Sequence, residues 1–182
     1  MIFFAAAEAP VKNENMLLNN LIMAKNMCEV LKKKKPSFFL YLSSDAVYSD
    51  TKKKIHEDSL TVPDSLHGIM HLTREKMFEN LIKSKLCIVR PTLVYGDGDP
   101  HNGYGPNRFI RLIKEKEKIS LFGKGEELRD HVWINDVSKA ISKLIIKRKT
   151  GKFNLVTGKI ISFDNIAKQI IAKGIDKVAF DR

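Results

Sequence analysis

The feature that most constrains this chain is a switch of period along it. Short runs of consecutive apolar residues alternate with longer stretches whose apolar residues recur at helical spacing. "IFFAA" (2–6), "SFFLYLSS" (37–44, after Pro36) and "LCIVRPTLVYG" (86–96) are of the first kind. "ENMLLNNLIMAKNMCEVLKK" (14–33) and "DSLHGIMHLTREKMFENLIKS" (64–84, after Pro63) are of the second. Strands without polar alternation must be covered on both faces, and helices between them supply the cover. The pattern therefore predicts βαβ units, a parallel sheet and an α/β fold class.

The second half is shorter in its elements. "GDGDPHNGYGP" (96–106) holds four glycines and two prolines and reads as a loop. It fails as a calcium loop: Asp97 and Asp99 suit the first and third positions, but the sixth is not Gly and Arg108 stands where a bidentate Glu is needed. "NRFIRLIKEKEK" (107–118) predicts a helix, "ISLF" (119–122) and "HVWI" (131–134) short strands, and Asp136 the N-cap of a helix over 137–147. "KFNLV" (152–156) predicts another strand, and Ser162 the cap of a last helix.

With 182 residues, 43% of them hydrophobic, the chain can bury a core and is not disordered. Its formal net charge of +11 raises the question of a nucleic-acid partner. The basic residues form no stripe with interleaved aromatics, so the charge reads as a solvated surface and no nucleic acid is expected. "KKKK" (32–35) closes a helix pattern, where cations suit the helix dipole. Cys28 and Cys87 stand far apart in apolar contexts, as buried free thiols of a reducing, cytoplasmic compartment do. "MIFFAAAEAP" has no basic leader region, and no segment reaches membrane-spanning length.

In a parallel α/β sheet, ligands bind beyond the carboxyl ends of the strands. Three such ends are chemically loaded here: the loop after "IFFAA", "SSDAVY" and "RPTLVYG". With "LFGKGEELRDHVWINDVSKAI" (121–141), these segments resemble, in order, those of the extended short-chain dehydrogenase/reductase family, its NAD-dependent epimerase/dehydratase group acting on nucleotide sugars. The likeness runs from residue 2 to about 172 and includes Asn20 within the first helix. It implies the second half of a Rossmann-type sheet over 1–96 and part of a small substrate-binding lobe over 97–182, with 131–156 returning to the sheet.

The departures from the family are as informative as the likeness. The family's opening βα units, with the G-x-x-G-x-x-G turn that cradles the dinucleotide, have no counterpart among these residues. "GKGEE" (123–127) opens no helix and is no substitute. The resemblance thus implies a truncated member that binds NAD or NADP weakly and is inactive alone. The family's Tyr-x-x-x-Lys falls on "HGIMH" (67–71). His67 takes the place of the proton-transferring Tyr, and His71 that of the Lys that binds the nicotinamide ribose. A spacing of four puts both on one helix face. His71 is shorter than Lys and uncharged near neutral pH.

The same carry-over gives Ser44 the role of hydrogen-bonding the reacting sugar oxygen. Asp45 takes the acid position of the dehydratases, whose adjacent Glu is Ala46 here. Ala5, Ala6, Ser43, Pro91 and Leu93 fall beside the cofactor. Leu93 departs from the Asn of the UDP-galactose epimerases. Asn107 falls near the nucleotide base, and Arg129 on the diphosphate. Each residue also has a plainer reading: Ser44 as a loop cap, Arg129 as a surface cation paired with Asp130 or a glutamate, the two histidines as helix residues without a role. A zinc site would need a third ligand such as His101 and a Glu after the first His, where Gly68 stands, so no metal is expected. The implied partner is a nucleotide sugar, with no membrane and with self-association or a homodimer through the uncovered sheet. A non-catalytic remnant that binds a nucleotide sugar or a protein is the alternative.

Overall fold

The computed structural model describes residues 1–49, 54–99, 103 and 105–173. The chain divides into two compact units. The first comprises Met1–Thr92 and Ser138–Leu155, and the second comprises Leu93–Val137 and the residues from Val156. His101 lies outside the described residues.

In the first unit, β1 (Ile2–Phe4), β2 (Phe39–Leu42), β3 (Leu86–Pro91) and, late in the chain, β6 (Gly151–Leu155) form a four-stranded sheet in that order. Every pairing is parallel. β1 is followed by α1 (Glu14–Lys33) and β2 by α2 (Leu66–Ile82). Asn13 caps α1 by accepting the Met16 N–H at 3.0 Å, and Lys32 and Lys33 sit in its last turn. Ser65 caps α2 by accepting the Gly68 N–H at 3.1 Å.

The strands pack helices on both faces, as their unbroken apolar runs require. Phe4, Phe39, Tyr41, Leu86 and Ile88 meet Ala24, Cys28 and Leu31 of α1 and Phe78 and Ile82 of α2. Alternate residues Phe38, Leu40, Cys87 and Val89 meet Ile141, Leu144 and Ile145 on the other face. These last three belong to α4 (Ile134–Ile146). Both cysteines are buried and free, and burial pushes the Cys87 thiol up to about 12.

The second unit holds β4 (Leu93–Tyr95), α3 (Pro106–Lys114), β5 (Leu128–Trp133), β7 (Ile160–Ser162) and α5 (Phe163–Lys173). Its sheet has the order β4-β5-β7, with β4 parallel and β7 antiparallel to β5. Phe109 of α3 and Phe163, Ile166, Ala167 and Ile170 of α5 make its core.

Several elements depart from the sequence expectations. The run 86–96 is two strands, not one. Thr92 still donates to Leu155 O at 3.2 Å, and then the chain leaves the ladder and Leu93–Tyr95 pairs with His131–Trp133. Residues 119–122 are no strand, because Ile119 and Leu121 turn onto the Phe109–Phe163 core instead of joining a ladder. The return to the first sheet is made by β6, whereas β5 stays in the smaller sheet. Asp136 is not an N-cap: α4 starts at once after β5, and Asp136 stands inside its first turn. Ser162 does cap α5, accepting the Asn165 N–H at 3.2 Å.

Candidate functional site

The first unit gathers most of the expected residues along one edge of its sheet. The register pairs Phe4 with Tyr41 and Leu42 with Val89, so Ala5–Ala6 and Ser43–Ser44 follow the carboxyl ends of adjacent strands and Pro91 ends the third. The first turns of α2 close over this edge because of one glycine. A Cβ on Gly68 would fall 2.0 Å from the Ala46 carbonyl oxygen and 2.7 Å from Pro63 Cβ. Only a residue without Cβ lets the helix approach the Ser44–Val47 turn so closely. His67 and His71 therefore stand on a fixed backbone, their rings edge to face at 4.7 Å.

The two histidines have different environments. His67 is half-buried, and burial lowers its pKa. The Val11 N–H reaches its Nδ1 at 3.5 Å, a distance too long to lock the tautomer. His71 is buried, and its Nδ1 shares a 2.7 Å hydrogen bond with the Tyr41 hydroxyl. Burial first, then His67 and Arg74, depress its pKa to about 3. A ring held neutral there carries no charge with which to stabilise a neighbouring anion.

The fixed positive charge of this face is Arg74, one turn further along α2. Its guanidinium is buried and donates to Ala6 O at 2.8 Å, to Asn20 O at 2.6 Å and to Asn20 Oδ1 at 2.9 Å. Asn20 in turn accepts the Glu8 N–H at 3.1 Å and donates to Glu8 O at 2.9 Å, which pins the loop after β1.

Ser44 is half-buried. Its hydroxyl accepts the Ala46 N–H at 3.1 Å and lies 3.4 Å from an Asp45 carboxylate oxygen, so it caps the short turn it precedes. Ser43 faces the interior and donates to Glu75 at 2.6 Å. Glu75 and Arg90 form a fully buried bidentate pair, with contacts of 2.9 and 2.6 Å. Arg90 also donates to the Tyr48 hydroxyl, which donates to Asn154 at 3.0 Å. One network thus joins β2, α2, β3 and β6 beneath the site.

The sequence reading missed Arg74, Glu75 and Arg90. Their signals were present: a lone Arg inside the apolar run "CIVRP", and charges at 74 and 75 on the helix face defined by 67, 71 and 78.

The second unit carries Leu93, Asn107 and Arg129. Leu93 opens β4, whereas Pro91 ends β3 in the other unit. Asn107, in the first turn of α3, accepts the Gly96 N–H at 3.3 Å. Arg129 on β5 pairs with Glu127 at 2.6 Å. Asp130 is taken up in the turn after β6, accepting from Thr157 and Gly158. Leu93, Tyr95, Asp99, Pro106, Asn107 and His131 line a cavity of about 190 Å3 in this unit. Among the described residues no cluster of three potential ligands could hold a metal, and no helix is long and apolar enough to cross a membrane.

Toward a dinucleotide the described residues offer part of a contact surface. The sequence has no G-x-x-G-x-x-G turn. The Ala6 carbonyl, the Ser43 hydroxyl and His71 Nδ1 are each engaged within the protein. What stays on offer is a wall made by Ala5, Pro91 and the Ser44 turn.

A sequence-family model for the NAD dependent epimerase/dehydratase family matches residues 2–156. Among solved structures, the chain superposes on a dTDP-glucose 4,6-dehydratase from Bacillus anthracis, in complex with NAD, with a TM-score of 0.83 at 20% identity, covering 98% of this chain and 58% of that one. A UDP-N-acetylglucosamine 4-epimerase from Bacillus cereus gives 0.79 at 22% identity, covering 96% and 63%. A UDP-glucose 4-epimerase from Thermotoga maritima, solved with UDP-glucose, gives 0.80 at 24%, covering 91% and 58%. The chain thus spans about three fifths of the length of these relatives.

Proposed function

The chain belongs to the NAD-dependent epimerase/dehydratase family, and from that premise we propose that it carries the sugar-handling part of a nucleotide-sugar epimerase/dehydratase-type oxidoreductase. The observation that carries this reading is the seating of α2 on the Ser44–Val47 turn through Gly68, which brings residue 67 to the carboxyl edge of the parallel strands. Ser44 hydrogen-bonds the hydroxyl or carbonyl oxygen of the reacting sugar carbon. His67, neutral and half-buried, takes or returns that oxygen's proton, as an imidazole does near neutral pH without a cationic neighbour. In the second unit, taken by itself, Asn107 and Arg129 are the residues suited to a nucleotide diphosphate, the guanidinium gripping phosphate oxygens in a planar fork. NAD or NADP supplies the hydride chemistry in a complete enzyme. Buried free thiols favour a reducing, cytoplasmic setting.

One observation favours the second reading, a module that binds a nucleotide sugar without turning it over. His71 is neutral and bonded to Tyr41, so the Lys role of the family is vacant at that position. Titration with UDP-glucose, UDP-N-acetylglucosamine and dTDP-glucose tests both. Saturable binding that weakens about tenfold in Arg129→Lys, and further in Arg129→Ala, supports the site. Turnover with added NAD that falls about 10²–10⁴-fold in His67→Phe supports the enzyme. Binding without turnover supports the module, and no binding of any of the three removes both readings.

A further inference from the structure

The cations of the first unit gather at one edge of its sheet. In a parallel sheet every strand begins at the same edge, and the helix-to-strand connections meet there. Three basic runs stand at those connections: "KKKK" (32–35) between α1 and β2, "KSK" (83–85) between α2 and β3, and "KRK" (147–149) between α4 and β6. The register pairs Phe39 with Leu86 and Cys87 with Gly151. Neighbouring strands lie about 4.8 Å apart, so the runs enter the sheet side by side within about 10 Å. Together they hold nine cations, all exposed, and no acidic residue. Among the described residues only Lys32 of the nine is ion-paired, with Glu29 at 2.8 Å. The loops at the other edge, 5–13 and 43–65, hold six acidic residues against four lysines.

Cations suit helix C-termini, and that accounts for Lys32 and Lys33 in the last turn of α1. It does not account for the other seven, which lie beyond the helices they follow. Nor does a merely solvated surface account for Ile146, 80% exposed beside "KRK", or for Val30, 48% exposed near "KKKK". Exposed aliphatics among unpaired cations suit the interface of an anionic bilayer, where charge and apolar burial act together. A nucleic acid without sequence preference would call for exposed aromatics on which bases stack, and Phe38 and Phe39 beside the first run are buried. Eight of the nine cations are lysines, hydrated point charges that follow headgroups without the fixed fork of arginine.

We propose that this edge of the first unit is a peripheral docking surface for a bilayer rich in anionic phospholipid, with the lysines among the headgroups and Ile146 in the interface. Such docking needs no spanning helix. The expectation of no membrane rested on the lack of a spanning segment, and the three runs are far apart in the chain until the sheet aligns them. α1 runs from one edge of the sheet to the other, and its 20 residues span about 30 Å. Docked this way, the first unit keeps Ser44 and the carboxyl edge of its strands well clear of the lipid.

The test is co-sedimentation of the full chain with two kinds of vesicle, phosphatidylcholine alone and phosphatidylcholine with about 30% phosphatidylserine. The chain should bind the second and not the first, and added salt should weaken the binding. Lys85→Glu with Lys149→Glu removes neighbouring cations of β3 and β6. It should lower the partition at least about tenfold, each cation near such a surface being worth roughly fivefold. Lys12→Glu with Lys54→Glu changes the net charge equally at the other edge, about three Debye lengths away at 0.1 M salt, and should bind as the parent does. Ile146→Ser should weaken binding most at raised salt, where the apolar contact is left. All these side chains are exposed, so melting temperatures should not change. Equal losses in the two charge-reversed pairs would overturn the proposal and leave only a general effect of net charge. Equal binding to both kinds of vesicle, or to neither, would overturn it as well. Salt-sensitive binding to duplex DNA in place of vesicles would overturn the bilayer and give the edge to a nucleic acid.

Discussion

Replacing Gly68 by Ala sets two physical effects against each other. In a helix Ala outranks Gly by up to about 1 kcal/mol, so propensity alone expects stabilisation. The local geometry says the opposite. The new Cβ would lie 2.0 Å from the Ala46 oxygen, 2.8 Å from the Ala46 carbonyl carbon and 2.7 Å from Pro63 Cβ. None of these is the free end of a flexible side chain. Relief requires α2 and the Ser44–Val47 turn to separate by roughly 1 Å in a close-packed region. Overpacking of this kind costs about 1–3 kcal/mol, and two backbone atoms among the contacts put it in the upper half. The net expectation is a loss of about 1–2 kcal/mol, read as a lower urea midpoint at unchanged slope. The same displacement moves His67 away from Ser44, and a shift of about 1 Å can cost about 10²-fold in a catalytic step. Equal or higher stability in Gly68→Ala would refute the close approach and, with it, the placement of residue 67.

Two further outcomes follow from the first unit. Burial holds His71 neutral down to about pH 3, whereas the same ring in the unfolded chain takes up a proton near 6.5. The unfolded state then binds more protons, so stability must fall as pH drops through 6.5 toward 3, by about 1–2 kcal/mol from this ring between pH 6.5 and 5. Urea melts of the parent and His71→Leu at pH 7 and pH 5 should diverge by that amount, and parallel losses would remove His71 as the cause. Separately, among the described residues β1 is an outer strand of its sheet, and Phe3 on it is 48% exposed. Such an edge invites association, so light scattering should show concentration-dependent growth that Phe3→Lys suppresses. A parent that stays monomeric would contradict this.

Much of the fold was legible because strands buried on both faces leave an unbroken apolar signature, and "FFLYL" and "LCIVR" carry it. β7 was not, since a three-residue strand has no period to read. The break at Thr92 was hidden for a related reason: "LCIVRPTLVY" is apolar throughout, and only the choice of partner strand divides it. For the proposed site the sequence offered an order of motifs, which puts Ser44 at a strand end and His67 on the helix that follows. Burial was not legible there. Helical spacing puts residues 67, 71, 74 and 75 on one face, but only the packed structure shows that His71 is sealed against Tyr41 while His67 stays half open. Arg74 and Glu75 share that face in "TREKMF", but the carbonyls and the guanidinium that satisfy them come from distant strands and loops, so their burial could not be read from local sequence.

The affinity of residues 1–182 for NAD, measured by calorimetric titration, is the most direct test of the proposal that these residues serve the sugar-handling part of the family's site and supply no dinucleotide cradle. With no glycine-rich turn to offer helix N–H groups to the pyrophosphate, the dissociation constant should be far weaker than about 1 μM. UDP-glucose should still bind. A dissociation constant for NAD at or below about 1 μM, equivalent to about −8 kcal/mol, would contradict the claim and show that these residues hold the dinucleotide by other means.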